Sequence, residues 1–129
     1  MGTLPPFRAL AGVFVLVVDD NEDARDILRS MLAYLGAIVA TAASARAALN
    51  VLSQIRAGVV VCDVNLGDND ALWLIRQIQA QQPTLPPFIA ISAQDYDEDE
   101  LRSAGFVAFL RKPVEHEVLV TEILRAAML

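Results

Sequence analysis

Val13-Phe14-Val15-Leu16-Val17-Val18-Asp19-Asp20-Asn21 is an unbroken apolar run, rich in β-branched residues, that stops abruptly at two acids. Such a run reads as a strand buried on both faces, as in a parallel sheet, because a half-exposed strand would alternate apolar with polar. From Asn21 the period changes. Ala24, Ile27, Leu28, Met31, Leu32 and Leu35 fall on one helical stripe, Glu22 and Asp23 suit the positive N-terminal end, and Gly36 stops the helix. Working outward, the same unit recurs. Ala37 to Ala40 reads as strand two, and Ser44 caps a helix with an apolar face of Ala45, Ala48, Leu49, Leu52 and Ile55, closed by Gly58. Val59 to Cys62 is strand three, ending at Asp63. Val64 to Asp70 has no period and holds Gly67, so it reads as a loop. Ala71, Leu74, Ile75 and Ile78 repeat at helical spacing until Pro83, Pro86 and Pro87 block continuation. Phe88 to Ile91 is strand four with Ser92 at its end, and Asp97 to Ala104 is a short acidic helix stopped by Gly105. Val107 to Leu110 is strand five, and Val114 to Met128 a final amphipathic helix. Five strands alternating with five helices predict right-handed crossovers and an α/β fold: a doubly wound, flavodoxin-like (βα)₅ parallel sheet in the order 2-1-3-4-5.

The chain has 129 residues, 55% of them hydrophobic, enough for one compact domain. We divide it into an N-terminal extension, 1–12, and a domain over 13–129. A formal charge of -6 argues against direct nucleic-acid binding, which needs a basic surface to displace counterions. Partners are therefore expected to be proteins. The single cysteine, Cys62, lies inside an apolar run, which excludes a disulfide framework or a Cys/His zinc site. Leu4 to Val18 resembles a signal segment only superficially, since it carries one early charge, Arg8, and no small-residue cleavage site. It is also too short to span a bilayer, so no membrane insertion and a cytoplasmic location are expected.

The chemistry lies at the strand ends. In an open parallel sheet the carboxyl ends of the strands converge on one crevice, which here would gather Asp19, Asp20 and Asp63, with Asp70 just beyond and Lys112-Pro113 after strand five. One of the paired acids is explained well enough as a helix cap. Two at the end of a buried strand, with a third on strand three, repel one another unless a cation joins them. A hard ion such as Mg²⁺ takes carboxylate oxygens and leaves a face open for a phosphate oxygen. Asp63, on the central strand beside strand one, is the candidate nucleophile, able to attack phosphorus and form an acyl phosphate. Lys112 in isolation reads as a solvated surface lysine, but at a strand end it reaches the crevice and can pair with Asp63 or a phosphoryl oxygen. Ser92 serves either that site or only its local backbone. His116, between two glutamates, is assigned no role.

Val17-Val18-Asp19-Asp20-Asn21, Val60-Val61-Cys62-Asp63-Val64-Asn65-Leu66, Ile91-Ser92-Ala93 and Leu110-Arg111-Lys112-Pro113 resemble the signature blocks of the response-regulator receiver domain of bacterial two-component systems. The resemblance runs from Val13 to the end of the chain. It implies that Asp63 takes a phosphoryl group from a histidine kinase or phosphotransfer protein, and that Asp19 and Asp20, with Asp63 and the Asn65 carbonyl, organise Mg²⁺. It further implies that Lys112 contacts the phosphoryl group, that Ser92 responds to it with Phe109 as the aromatic switch, and that the Lys112-Pro113 bond is cis. A downstream protein target, and at most a weak homodimer, follow as partners of a signalling module that is not an enzyme. Gly67 stands where the family usually has proline, and Asp70-Ala71 replaces the common Asp-Gly pair.

The chain reads either as a free-standing regulator or as the receiver part of a hybrid sensor kinase or longer regulator, and a pseudo-receiver that binds without being phosphorylated shares the same blocks. A haloacid-dehalogenase-type phosphohydrolase also uses a strand-end aspartate with Mg²⁺, but resembles this chain poorly because its second aspartate, two residues on, is here Asn65. A flavin-binding protein of this fold needs a Ser/Thr/Gly-rich cradle after strand one, where this chain has Asp19-Asp20-Asn21-Glu22.

Overall fold

A computed structural model describes residues 8–129; residues 1–7 of the expected N-terminal extension lie outside the described residues. The chain alternates β1(Phe14–Val18), α1(Glu22–Tyr34), β2(Ile38–Ala42), α2(Ala45–Gln54), β3(Val59–Asp63), α3(Ala71–Gln81), β4(Phe88–Ser92), α4(Glu98–Ala104), β5(Phe106–Arg111) and α5(His116–Ala127). All strand pairs are parallel, in the order β2-β1-β3-β4-β5. The doubly wound (βα)₅ expectation therefore holds.

The alternation of side chains along each strand divides the core in two. Leu16, Val18, Val60, Cys62, Phe88 and Ala90 pack with Ala48, Leu52, Leu74, Ile78 and Leu101 of α2, α3 and α4. Val15, Val17, Val59, Val61, Ile89 and Ile91 pack with Leu28, Leu32, Leu119 and Ile123 of α1 and α5. β3 and β4 are buried along their whole length, which is why their sequences read as continuous apolar runs. In the β4–β5 pairing the register slips so that Phe88 faces Phe106 while Ile89 faces Ala108. Val107, skipped by this bulge, is 39% exposed. Beyond the slip, Ser92 pairs with Arg111, and the next N–H, that of Lys112, donates to the Ser92 carbonyl at 2.9 Å.

Several boundaries moved. Strand two runs from Ile38 to Ala42 rather than Ala37 to Ala40, because Ala37 is consumed in closing α1. There the Gly36 N–H donates to the Ala33 carbonyl and the Ala37 N–H to the Leu32 carbonyl, a Schellman closure with Gly36 at φ +96. Helix α2 stops at Gln54 with Ile55 as its C-cap, not at Gly58, whose N–H instead donates to the Phe14 carbonyl. Ile55 leaves the apolar face and is 39% exposed. Asp97 lies outside α4 as its N-cap, accepting from the Glu100 N–H. Strand five is longer than expected at both ends, and α5 begins at His116.

Leu10, inside the segment assigned to the extension, is fully buried. It packs with Leu28, Leu32 and Leu35, and its N–H donates to the Leu35 carbonyl at 2.9 Å, one of the carbonyls that a helix end leaves without a partner. The chain before β1 thus covers the C-terminal end of α1. Leu10→Ala is expected to lower unfolding free energy by about 2–5 kcal/mol, the cost of deleting a buried leucine side chain, read from urea denaturation.

Candidate metal and phosphoryl-acceptor site

The alternation that divides the core also builds the crevice. Asp19 continues the parity of Val15 and Val17, Asp63 that of Val59 and Val61, and Lys112 that of Ala108 and Leu110, all on the α1/α5 side of the sheet. β1 and β3 are hydrogen-bonded neighbours, with Val18 opposite Cys62, so their terminal acids come side by side. Lys112, the only lysine of the chain, spans them: its ammonium donates to Asp19 Oδ2 at 2.8 Å and to Asp63 Oδ2 at 2.9 Å. The Lys112-Pro113 bond is cis, as the resemblance implies.

Each of these carboxylates uses its other oxygen locally. The Asn21 N–H donates to Asp19 Oδ1 at 2.9 Å, and the Asn65 N–H donates to Asp63 Oδ1 at 3.1 Å. Arg25, one turn into α1, donates to the Asp19 carbonyl at 2.9 Å, which ties the start of α1 to the end of β1. Asp19 is completely buried and Asp63 nearly so, whereas Asp20 is exposed. No hydrogen bond to the Asp20 carboxylate occurs among the described residues, so its oxygens remain available to an incoming ligand. One oxygen from each of Asp19, Asp20 and Asp63 lies within 4.8 Å of the others. An all-oxygen donor set, with one member facing solvent, fits a hard divalent ion that keeps part of its water shell.

Lys112 is charged in this setting. Burial alone would disfavour the ammonium, but hydrogen bonds and charge from Asp19 and Asp63 outweigh it and hold the pKa above the usual 10.5. Burial, with the charges of Asp63 and Asp19, pushes the neighbouring Cys62 thiol well up, so that thiol stays protonated and unreactive.

Two residues sit elsewhere than expected. Asp70 is the N-cap of α3, accepting from the Trp73 N–H at 2.8 Å, and the acidic cluster is a triad without it. Ile27, placed on the core stripe of α1, is 58% exposed. It lines a mainly apolar groove with Ala24, Leu28, Pro113, Val114 and His116, which opens beside Asp19 and Lys112. The stripe argument missed it because a helical period cannot tell a residue facing the sheet from one at the rim of a cleft.

Ser92 and Phe109 lie on the other side of the sheet. Ser92 continues the parity of Phe88 and Ala90, and its hydroxyl is engaged locally, donating to the Gln94 carbonyl and accepting from the Gln94 N–H, both at 3.0 Å. Phe109 is half-buried, stacked on Tyr96 with ring centres 6.1 Å apart, and the Arg102 guanidinium sits 4.7 Å over its ring. Asn65 is exposed, and its side-chain oxygen accepts from the Gly67 N–H at 3.4 Å.

A family model for the response regulator receiver domain matches residues 15–124. The chain belongs to that family. The receiver domain is 41% identical over 113 residues to an uncharacterized 14.6 kDa protein of Leptolyngbya boryana, covering 84% of this chain and 85% of that one. It is 32% identical over 114 residues to the transcriptional regulatory protein FixJ of Rhizobium meliloti, covering 88% of this chain but 56% of FixJ. Among solved structures, the chemotaxis response regulator CheY4 of Vibrio cholerae aligns with a TM-score of 0.79 at 26% identity, over 88% of this chain and 98% of that one. The receiver domain thus spans about half or less of several transcriptional regulators it matches, and nearly all of the chemotaxis regulator. Receiver domains are signalling modules that bind Mg²⁺ in an acidic pocket and work with histidine kinases and downstream effectors; the Asp19, Asp20 and Asp63 triad is compatible with that pocket. No helix among the described residues is long and apolar enough to cross a membrane.

The Lys112 clasp has a pH signature. Its folded pKa lies above the unfolded 10.5, so its contribution to stability is complete below that value and is lost as pH rises through the folded value. In metal-free buffer the stability difference between wild type and Lys112→Met should be constant at neutral pH and shrink above about pH 10.5, as measured by urea titrations at a series of pH values.

Proposed function

We propose that this receiver domain is a phosphoacceptor in a two-component phosphorelay, with Asp63 as the residue that carries the phosphoryl group. The observation that carries the reading is the clasp: a buried carboxylate pair held by one ammonium, with a third, exposed carboxylate within reach. In the reaction a carboxylate oxygen of Asp63 attacks phosphorus, the bond from phosphorus to the donor's histidine nitrogen breaks, and that nitrogen regains its lone pair. Asp19, Asp20, Asp63 and the Asn65 carbonyl would hold Mg²⁺, which would supply positive charge where the transferring oxygens are crowded. Lys112 does the rest of the electrostatic work. Its ammonium already points at Asp63 Oδ2, so a phosphoryl oxygen arriving there finds a charged donor in place. The Asn65 N–H on Asp63 Oδ1 orients the acceptor carboxylate without entering the reaction.

The donor is a histidine kinase or a histidine phosphotransfer protein. The apolar groove bounded by Ile27, Pro113 and His116 offers it a surface beside the crevice. The output is contact with a protein rather than with nucleic acid or membrane, in keeping with the net charge of -6 and a cytoplasmic setting. Ser92 and Phe109 carry the signal outward: a dianionic group on Asp63 attracts the Ser92 hydroxyl away from Gln94, and the β4–α4 loop follows, freeing Phe109 from Tyr96 and Arg102. α4 gives way most readily, since it is only seven residues long and buries a single side chain, Leu101.

Incubated with a small phosphodonor and Mg²⁺, wild type should gain one phosphoryl group by intact mass, and Asp63→Asn none. Equal labelling of the two would remove Asp63 from the role, and an unlabelled wild type would leave a binding-only pseudo-receiver. Asp20→Ala should weaken Mg²⁺ binding more than Asp19→Ala, because Asp19 is already engaged by Lys112 and the Asn21 N–H; calorimetric titration ranks them. Ser92→Ala should still accept phosphate, while the change in amide exchange over residues 94–109 on adding beryllofluoride is largely lost.

A further inference from the structure

We propose that Asp68 is a positioning residue for the metal crevice, fastening the loop that carries Asn65 and Gly67 to the first turn of α2. This rests on the phosphoacceptor reading above and adds a residue to it. A helix leaves its first four N–H groups without partners. In α2 the Ala48 N–H opens the regular ladder on the Ser44 carbonyl at 3.0 Å, and of the three helical N–H groups before it, that of Ala47 goes to the Ser44 hydroxyl at 3.0 Å. The remaining two are met from another part of the chain: Ala45 N–H donates to Asp68 Oδ1 at 3.0 Å and Arg46 N–H to Asp68 Oδ2 at 3.2 Å. Both oxygens of one carboxylate are thus spent on a helix more than twenty positions earlier in sequence. Slight burial would raise the Asp68 pKa, but these backbone donors outweigh it and hold the carboxyl below its usual 3.8, so it is ionised wherever the protein is folded near neutral pH.

The segment so fastened lines the crevice. Asn65 donates its N–H to Asp63 Oδ1, and a Cβ added to Gly67 would stand 3.5 Å from Asp20 Oδ2. Gly67 has φ +83, a left-handed backbone setting that glycine adopts without strain. The far end of the loop is fixed to α3 by the Asp70 cap and by the Ala71 N–H on the Val64 carbonyl. Between these points the loop is held by the buried Leu66 side chain and by Asp68, whose N–H also turns back to the Leu66 carbonyl at 3.0 Å. Asn65 keeps its N–H on Asp63 Oδ1 and its bridge to Asp70 when the Asp68 tie is cut, but residues 67 and 68 are then tied to the rest of the fold only through Asn65 and the buried Leu66, so the backbone beside Asp20 loses its fixed distance from Asp63.

Ser44→Ala removes a cap from the same helix without touching the loop, and so separates a helix effect from a positioning effect. Both Asp68→Ala and Ser44→Ala should lower the thermal midpoint. Only Asp68→Ala should weaken Mg²⁺ binding, measured by calorimetry with the metal alone, by about tenfold, the scale on which groups that orient ligands act. Asp68→Asn, which keeps one acceptor oxygen, should fall between. In metal-free buffer, amide exchange at Gly67 should accelerate in Asp68→Ala and not in Ser44→Ala. Wild-type Mg²⁺ affinity in Asp68→Ala, or an equal loss in Ser44→Ala, overturns the proposal. A wild type that takes no Mg²⁺ removes the phosphoacceptor reading instead, and the metal-free exchange rate then decides the tether: an unchanged rate at Gly67 in Asp68→Ala overturns it.

Discussion

Two carboxylates, Asp19 and Asp63, are buried side by side at the ends of hydrogen-bonded strands, and one ammonium lies between them. Like charges so close and so poorly solvated raise the energy of the folded chain, and removing one partner of such a buried set is costly because the rest is left uncompensated. Much of the remaining architecture serves that placement. The β1–β3 register brings the acids together, and the slip at Val107 sets where β5 ends. The Ser92 carbonyl then holds the Lys112 backbone beside the crevice. Asn21 and Asn65 fix the two carboxylates, and Arg25 the Asp19 backbone, with bonds that need no metal.

The sheet also separates the acids from the proposed response residues. Asp19, Asp63 and Lys112 follow the strand parity that faces α1 and α5, whereas Ser92 and Phe109 follow the parity that faces α2, α3 and α4. In the proposed response a change at the acids would reach Phe109 around the end of β4, where Ser92 is bound to the Gln94 backbone and the loop beyond is tied to β5 by the Tyr96 stack and the Arg111–Asp95 pair. The β3–α3 loop is fixed differently, by side chains that cap two helices at once: Asp68 on α2 and Asp70 on α3. Asp63 thus lies between a loop held by two helix caps and one held by the Ser92–Gln94 bonds and the contacts to β5.

How far these features could be read from residue order depends on the range of the physics behind each. Val59 to Asp63 announced a buried central strand because burial on both faces demands a continuous apolar run, and the structure buries all five residues. The Asp19, Asp20 and Asp63 cluster followed from strand order, since carboxyl ends of parallel neighbours must meet. Asp70 was counted with those acids because a strand-end acid and a helix-cap acid look alike in sequence; the Trp73 N–H decides between them. Ile27 fitted the α1 stripe by its period, but a groove wall and a core face share that period. Leu10 was set apart from the fold because no strand or helix pattern includes it, yet the end of α1 needs both its side chain and its N–H.

Residue order was enough for the alternation of five strands with five helices, for the sheet order and for the strand-end acids, because periods of two and 3.6 residues and the hydrophobic cost of exposure act over a few neighbours. The parity that puts Ser92 opposite the crevice was present in the sequence too, as a simple count along β4. The ammonium bridging Asp19 and Asp63, the Asp68 carboxylate capping a helix that lies earlier in the chain, and the cover that Leu10 lays over α1 arise only once the chain is folded. Each joins groups far apart in sequence, and such contacts depend on distances that no local pattern encodes.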